Sequence, residues 1–314
     1  MSAAILDEVL TSLHVLTLPM KVKFRGIETR EIALFEGPFG WGEFSPFLEY
    51  GEVESLPWLM SGIEAAFVPT VNPIRQEISI NATLPEIDSK IRIAEILSWY
   101  PGCKTIKIKV GSDLQRDLAR IEIVRSLAPT AKIRVDVNGN WDVNYAQSAL
   151  QAIFEITGEF FEYVEQPCAT LDELRELKSK IRIPLKIAVD EAIRKSADPF
   201  ALDLQGAADI VMLKVQPLGG IRRAHAIAEH HKLPVVVSSA LESAVGINYG
   251  LTLAASFADM NFDCGLGTGS LLAKNVAELP IVDGKIHISD VVPHLEGLDV
   301  TADRFEWWKN RIMR

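Results

Sequence analysis

The chain has 314 residues and a formal net charge of −10, with 48% hydrophobic and 24% charged residues. That length holds one large domain, or a barrel with a smaller companion, and the apolar content suffices for a sizeable core. The acidic balance argues against general nucleic-acid binding, which needs a basic footprint, and no apolar run reaches membrane-spanning length.

The opening stretch MSAAILDEVLTSLHVLTLPMKVK carries acids early and has no basic segment before its apolar part, so it does not read as a secretory signal. Residues 1–76 then combine strand-like SLHVLTLPMKVKF and TREIALFEG with the turn-rich GPFGWGEFSPF. A helix is expected over Leu56–Phe67, with Ser55 as its N-cap and Pro57 in its first turn. This region is expected to be the N-terminal part of a small α+β capping domain.

From EISINATL (Glu77–Leu84) onward, apolar strands recur: KTIKIK, KIRVDV, FFEYVE, LKIAVD, DIVMLK, LPVVVSS and FDCGLG. KTIKIKV alternates, so Lys107 and Lys109 share one face and Ile106 and Ile108 the other. Helical patterns separate most strands: Leu114, Leu118, Ile121, Val124 and Leu127, then LDELRELKSKI (Leu171–Ile181) and IRRAHAIAEHH (Ile221–His231). Strand, helix and strand repeat as right-handed parallel βαβ units. The predicted fold is α/β, a modified (β/α)8-type barrel over residues 77–274. Residues 275–314, with PIVDGKIHISDVVP and a Trp307–Trp308 pair, revert to strand and turn signals and are expected to return to the capping domain. Cys103, Cys168 and Cys264 form no CxxC pair, which predicts free thiols in a cytoplasmic protein.

Five successive strands end in Lys109, Asp136, Glu165, Asp190 and Lys214, at intervals of 24 to 29 residues. Parallel strands would ring these residues around one barrel mouth. A single charged strand end reads as a solvated rim or a helix cap. Three carboxylates on adjacent strands repel one another unless a cation neutralises them. Oxygen-only ligation by Asp136, Glu165 and Asp190 suits Mg2+ before Mn2+ or Ca2+, and not Zn2+. The flanking Lys109 and Lys214 are candidates for proton transfer and charge stabilisation, and Lys107, on the same face as Lys109, for an electrostatic role.

Other patterns carry less. The six histidines have no metal-ligand spacing. Gly219-Gly220 and GLGTG (Gly265–Gly269) read as turns rather than phosphate or dinucleotide sites. Phe305, Trp307 and Trp308 read as packing.

KIKVG, DVNGNW, VEQP, VDE and LKVQPLGG resemble the motifs of the enolase superfamily, specifically its muconate-lactonizing subgroup. SSALESAVG (Ser238–Gly246) and GWGEFSPF (Gly40–Phe47) narrow the resemblance to a lyase branch that dehydrates a succinyl-bearing ring carboxylate. The resemblance implies that Lys109 transfers the proton, that Asp136, Glu165 and Asp190 hold Mg2+, and that Lys214 faces Lys109 across the substrate. It implies substrate contacts for Lys107, Arg134, Asn138, Ser238, Ser239 and Arg25, the two serines on the succinyl part, places Glu191 beside the metal, and puts Phe24 and Arg25 in a loop closing over the site. Two features depart from the pattern: the N-terminal region is short, and Ala192 stands where serine is common. On the same scaffold, N-succinylamino acid racemisation, dipeptide epimerisation and cycloisomerisation are the alternatives. A non-catalytic barrel that binds a metal or carboxylate is the alternative of another class. The expected partner is a small carboxylate; oligomeric state is left open.

Overall fold

The computed structural model describes residues 2–314. Seven strands pair in parallel and in sequence order: Ala82–Leu84, Thr105–Lys109, Lys132–Asp136, Phe161–Glu165, Lys186–Val189, Ile210–Lys214 and Val235–Ser238. Their period-two alternation decides what each face buries. Ile106, Ile108, Ile133, Val135, Val164 and Ile187 pack outward with the surrounding helices. Tyr163, Ala188, Met212 and Val236 form a separate small cluster, on the opposite parity and so inside the sheet's curl. The helices Leu114–Leu127, Leu171–Lys180 and Ile221–His231 form where the apolar spacing places them.

The expected eighth strand, FDCGLG, is reduced to single bridges. Cys264 pairs in parallel with Ile80, and Gly265 with Ser238, so this segment joins the two edges of the sheet. A Cβ at Gly265 would collide with the Ser238 hydroxyl, so only glycine permits the approach. EISINATL is likewise not one strand. Glu77–Ser79 pairs antiparallel with Lys285–His287, whereas Ala82–Leu84 pairs in parallel with Ile106–Ile108. The change of partner falls at Ile80 and Asn81, whose N–H groups donate to Gly284 O and Cys264 O.

His14–Phe24, Ile27–Gly37 and Gly40–Phe44 make a three-stranded antiparallel sheet. Both faces are covered. Val15, Ala33 and Phe35 share a core with Trp58, Leu59, Trp308 and Ile312, while Leu16, Leu18, Ile32 and Leu34 pack with Val245, Leu272, Val276 and Leu298. The neighbouring helix spans Glu52–Phe67 and is capped by extended Gly51, not by Ser55. Ser55 is buried inside it and receives a hydrogen bond from Arg311 (2.7 Å). Glu52 and Glu54 in the first turn suit the helix dipole, and Pro57 falls inside the helix.

Two further helices were not assigned from the sequence. Ala3–Thr11 is a helix with Ser2 as N-cap. Ala302–Met313 is a helix as well, where strand and turn signals were expected. Its Trp308 and Ile312 lie on one face and are buried, and Trp308 meets Phe44 edge-on at 5.7 Å between ring centres. The tail is thus divided: Ile281–His287 extends the sheet of Glu77–Ser79, and the final helix packs on the N-terminal unit.

A buried polar junction holds the N-terminal sheet to the barrel. Glu43 accepts from Ser45 Oγ (2.6 Å), Ser243 Oγ (2.6 Å) and Gly246 N (2.9 Å). Arg30 donates through Nε to Leu241 O (3.1 Å). Glu242 accepts from Ala240 N (2.7 Å), but its Oε1 is buried without a partner. Burial, and after it the Glu43 charge, pushes the Glu242 carboxyl up from 4.5 to about 7. A raised carboxyl binds its proton more tightly in the folded state. Its cost is therefore absent below the unfolded value and grows as pH rises through the folded one. Glu242→Gln should stabilise the protein more at pH 8 than at pH 5. Urea unfolding at both values checks this, and an equal effect at the two would refute it.

Candidate active site

Strand register assembles the site. Lys109 pairs with Asp136, Asp136 with Glu165, and Lys214 with Ser238. Asp190 follows the strand Lys186–Val189 and opens the short helix Glu191–Arg194. Lys107, Lys109, Asp136, Asn138, Arg194, Lys214, Ser238 and Ser239 face one cavity of about 40 Å3, roofed by Phe24, Arg25, Phe47 and Trp58 of the N-terminal unit.

The three carboxylates are buried and interleaved with lysines. Lys107 Nζ lies 2.9 Å from Glu165 Oε2 and 3.2 Å from Asp136 Oδ2. Lys109 Nζ donates to Asp136 Oδ2 (2.6 Å) and Asn138 Oδ1 (2.5 Å). Lys214 Nζ donates to Asp190 Oδ2 (2.6 Å). Burial alone would push Asp136 up, but Lys109, Lys107 and Lys214 outweigh it and hold the carboxyl well below the usual range. Asp190 is held low in the same way, by Lys214 and Arg194 against burial. Burial, then the Asp136 charge, raises Glu165 to about 7 despite Lys107. Lys107 itself is held well above an ordinary lysine: Glu165 and Asp136 overcome its own burial. It stays charged, which suits an electrostatic role rather than proton transfer.

Local geometry sets the remaining groups. Asn138 adopts a left-handed backbone (φ 53°), followed by Gly139 at φ 75°. That turn lets Asn138 accept from Lys109 while donating to Glu191 Oε1 (3.0 Å). Arg120, buried with Asp117, donates to Lys109 O (3.0 Å) and fixes the strand end from below. Ser239 shares a hydrogen bond with Thr268 (2.6 Å). Arg134 lies one layer deeper than the cavity lining. It is fully buried, bonded to Glu162 (2.6 Å), Asn81 (2.9 Å) and Asp263 O (2.6 Å), with its guanidinium over Tyr163. Its Nη2 is buried without a hydrogen-bond partner.

Sequence reasoning missed Arg194 and Gln166. Arg194 bridges Asp190 (3.3 Å), Glu191 (2.7 Å) and Tyr50 OH (3.2 Å); its i+4 spacing from Asp190 was the available signal. Gln166, within VEQP, accepts from Asp190 N (3.0 Å) and Ala192 N (3.2 Å), locking the turn that presents Asp190. No histidine lines the cavity.

Among the described residues, no three His, Cys, Asp or Glu side chains are gathered into a ready-made metal cage, because the lysines stand between the carboxylates. The donor set nevertheless fits a hard cation. Asp136 Oδ1, Glu165 Oε1, Asp190 Oδ1 and Glu191 Oε2 are all buried without a hydrogen-bond partner. Unpartnered buried carboxylate oxygens are costly, and an oxygen-seeking divalent ion satisfies them.

Fold and site together define an enzyme that acts at the mouth of a capped parallel barrel. The sequence matches the enolase C-terminal domain-like family over residues 93–305 and the enolase N-terminal domain-like family over residues 15–66. The o-succinylbenzoate synthase of Mycobacterium marinum is 48% identical, covering 98% of this chain and 94% of its own. That of Mycolicibacterium smegmatis is 45% identical, covering 98% and 96%. The solved structure of muconate lactonizing enzyme from Pseudomonas putida has a TM-score of 0.71 at 21% identity, covering 94% of this chain and 97% of that one, a likeness of fold. The chain belongs to the enolase superfamily and, within it, to the o-succinylbenzoate synthase family.

Replacing one orphaned carboxylate should weaken the cation site without unfolding the barrel. Asp190→Asn is expected to reduce Mg2+ affinity at least about tenfold by calorimetry, with the far-ultraviolet circular dichroism unchanged. Undiminished affinity would remove Asp190 from the ligand set.

Proposed function

We propose that this enzyme converts 2-succinyl-6-hydroxy-2,4-cyclohexadiene-1-carboxylate to 2-succinylbenzoate and water, a step of menaquinone synthesis, with Mg2+ as cofactor. The observation that carries this reading is the ring itself: Lys109 and Lys214 on opposite sides of one mouth, with Asp136, Glu165 and Asp190 between them. Membership of the o-succinylbenzoate synthase family supports the choice of substrate.

Asp136, Glu165 and Asp190 would hold a divalent cation, which when bound would supply fixed positive charge against the negative charge that builds on the substrate carboxylate. Lys109 removes the proton α to that carboxylate, and Asn138 steers its Nζ through the 2.5 Å contact. Lys107 stays protonated between Asp136 and Glu165 and adds charge. Lys214, held by Asp190, stands across the ring as a cation. Lys109 returns its proton to the leaving hydroxyl on the same face, so one lysine handles both transfers. Aromatisation drives the reaction forward. Phe24, Phe47 and Trp58 roof the cavity and keep bulk water from it.

Chelation with EDTA should abolish the dehydration and Mg2+ should restore it; full activity after exhaustive chelation would exclude a metal requirement.

Epimerisation needs proton exchange from both faces, whereas this dehydration needs one. Lys109→Ala should therefore lose essentially all activity. Lys214→Arg should retain measurable turnover, since it keeps the charge while changing the geometry. Side-by-side kcat/KM values should favour the cyclohexadiene carboxylate over an N-succinylamino acid. Faster racemisation of the amino acid would replace the dehydratase reading with the racemase one.

A further inference from the structure

Asp190 and Glu191 each have two carboxylate oxygens, and the structure uses them unequally. Asp190 Oδ2 accepts from Lys214 Nζ (2.6 Å) and Arg194 Nε (3.3 Å). Glu191 Oε1 accepts from Arg194 Nη2 (2.7 Å) and Asn138 Nδ2 (3.0 Å). Asp190 Oδ1 and Glu191 Oε2 are buried with no partner. One edge of a single guanidinium therefore takes one oxygen from each acid and leaves the other. The two oxygens of a carboxylate are chemically equivalent, so the group itself does not choose which one it presents. A rigid planar fork does.

Arg194 is held in turn. Its N–H donates to Asp190 O (3.0 Å), which sets it one helical turn beyond that residue, and its side chain is only 7% exposed. Its remaining nitrogen, Nη1, donates to Tyr50 OH (3.2 Å) in the N-terminal unit. Tyr50 is built in as well. Its ring packs edge-on against Phe47 (5.6 Å between centres) and Trp58 (6.1 Å), and its carbonyl accepts from Arg311 of the final helix (2.6 Å). The counter-charges of Arg194 come from Asp190 and Glu191. What the phenol adds is direction: it holds the far end of the guanidinium while the acids hold the near edge.

We infer that Arg194 is a positioning residue for the cation site, turning Asp190 and Glu191 so that Oδ1 and Oε2 are left for the cation and its shell, and that Tyr50 holds Arg194 in place from the N-terminal unit. This rests on the cation reading above. The N-terminal unit then does more than roof the cavity: its seating on the barrel and the loading of the ion are linked through one side chain. The link has a sign that charge alone does not predict. Arg194 is a cation beside a cation site, so by Coulomb repulsion its removal would tighten the ion. As a positioning residue, its removal loosens the ion.

The test is calorimetric titration of Mg2+ into the full chain without substrate, for wild type, Arg194→Met and Tyr50→Phe, with circular dichroism to confirm that each is folded. Arg194→Met should weaken Mg2+ by about tenfold or more, the scale of losing a group that orients a metal ligand. Tyr50→Phe removes one hydroxyl and no charge, keeps the ring packing, and should weaken Mg2+ by about threefold to tenfold, the scale of one hydrogen bond. Affinity that is unchanged or tighter in Arg194→Met would overturn the positioning role, since a purely structural residue would lower the melting temperature without moving the ion. Unchanged affinity in Tyr50→Phe would overturn the link to the N-terminal unit. Wild type that binds no Mg2+ would instead overturn the cation reading on which the inference rests.

Discussion

Asp136, Glu165 and Asp190 are buried side by side at one edge of a parallel sheet, and their mutual repulsion must be met by positive charge. Three lysines meet it here. Lys107 is shared by two of the carboxylates, Lys109 holds Asp136 and Lys214 holds Asp190. The arrangement leaves one oxygen on each carboxylate without a partner. The lysines hold Asp136 and Asp190 ionised, while burial and the Asp136 charge raise Glu165, and the unpartnered oxygens are what a divalent cation can claim. Charge balance thus joins folding to chemistry. The groups that make the acids tolerable without metal are the same lysines to which the proposed reaction gives proton transfer and charge stabilisation.

The N-terminal unit is held to this site by the same kind of buried polar contact. Glu43 binds the start of the helix Ala244–Ser256, and Arg30 holds Leu241, itself in a left-handed backbone (φ 65°). Glu64 reaches the N-terminus of the helix Ile221–His231 through Ile221 N (2.7 Å). A Cβ at Gly220 would collide with that carboxylate, which explains a glycine there. The reading of Gly219-Gly220 as a barrel turn therefore stands, and the anchoring anion at that helix end comes from the chain itself. The roof over the cavity is a consequence of these clamps, since Phe47 follows Glu43 by only four residues.

The gathering of Lys109, Asp136, Glu165, Asp190 and Lys214 at one sheet edge was legible because parallel strands translate sequence period into spatial order. Lys107 and Lys109 share a face by alternation, and successive strand ends become neighbours by register. What was not legible depended on contacts between distant segments. EISINATL has one apolar pattern, yet two partners divide it at Ile80. FDCGLG looks like a strand, but its pairing is confined to Cys264 with Ile80 and Gly265 with Ser238. The final helix was obscured by a Trp–Trp pair, although Trp308 and Ile312 have helical spacing. Arg134 shares the inward parity of Asp136, and parity alone cannot say that Glu162, Asn81 and Asp263 hold its Nε and Nη1 one layer down.

A structure of the protein crystallised with Mg2+ and 2-succinylbenzoate addresses the central claim most directly, because it locates cation and ring together. The account predicts the cation on oxygens of Asp136, Glu165 and Asp190, with the aromatic ring between the Nζ atoms of Lys109 and Lys214. A cation bound elsewhere, or a ring with both lysines on one face, would contradict it.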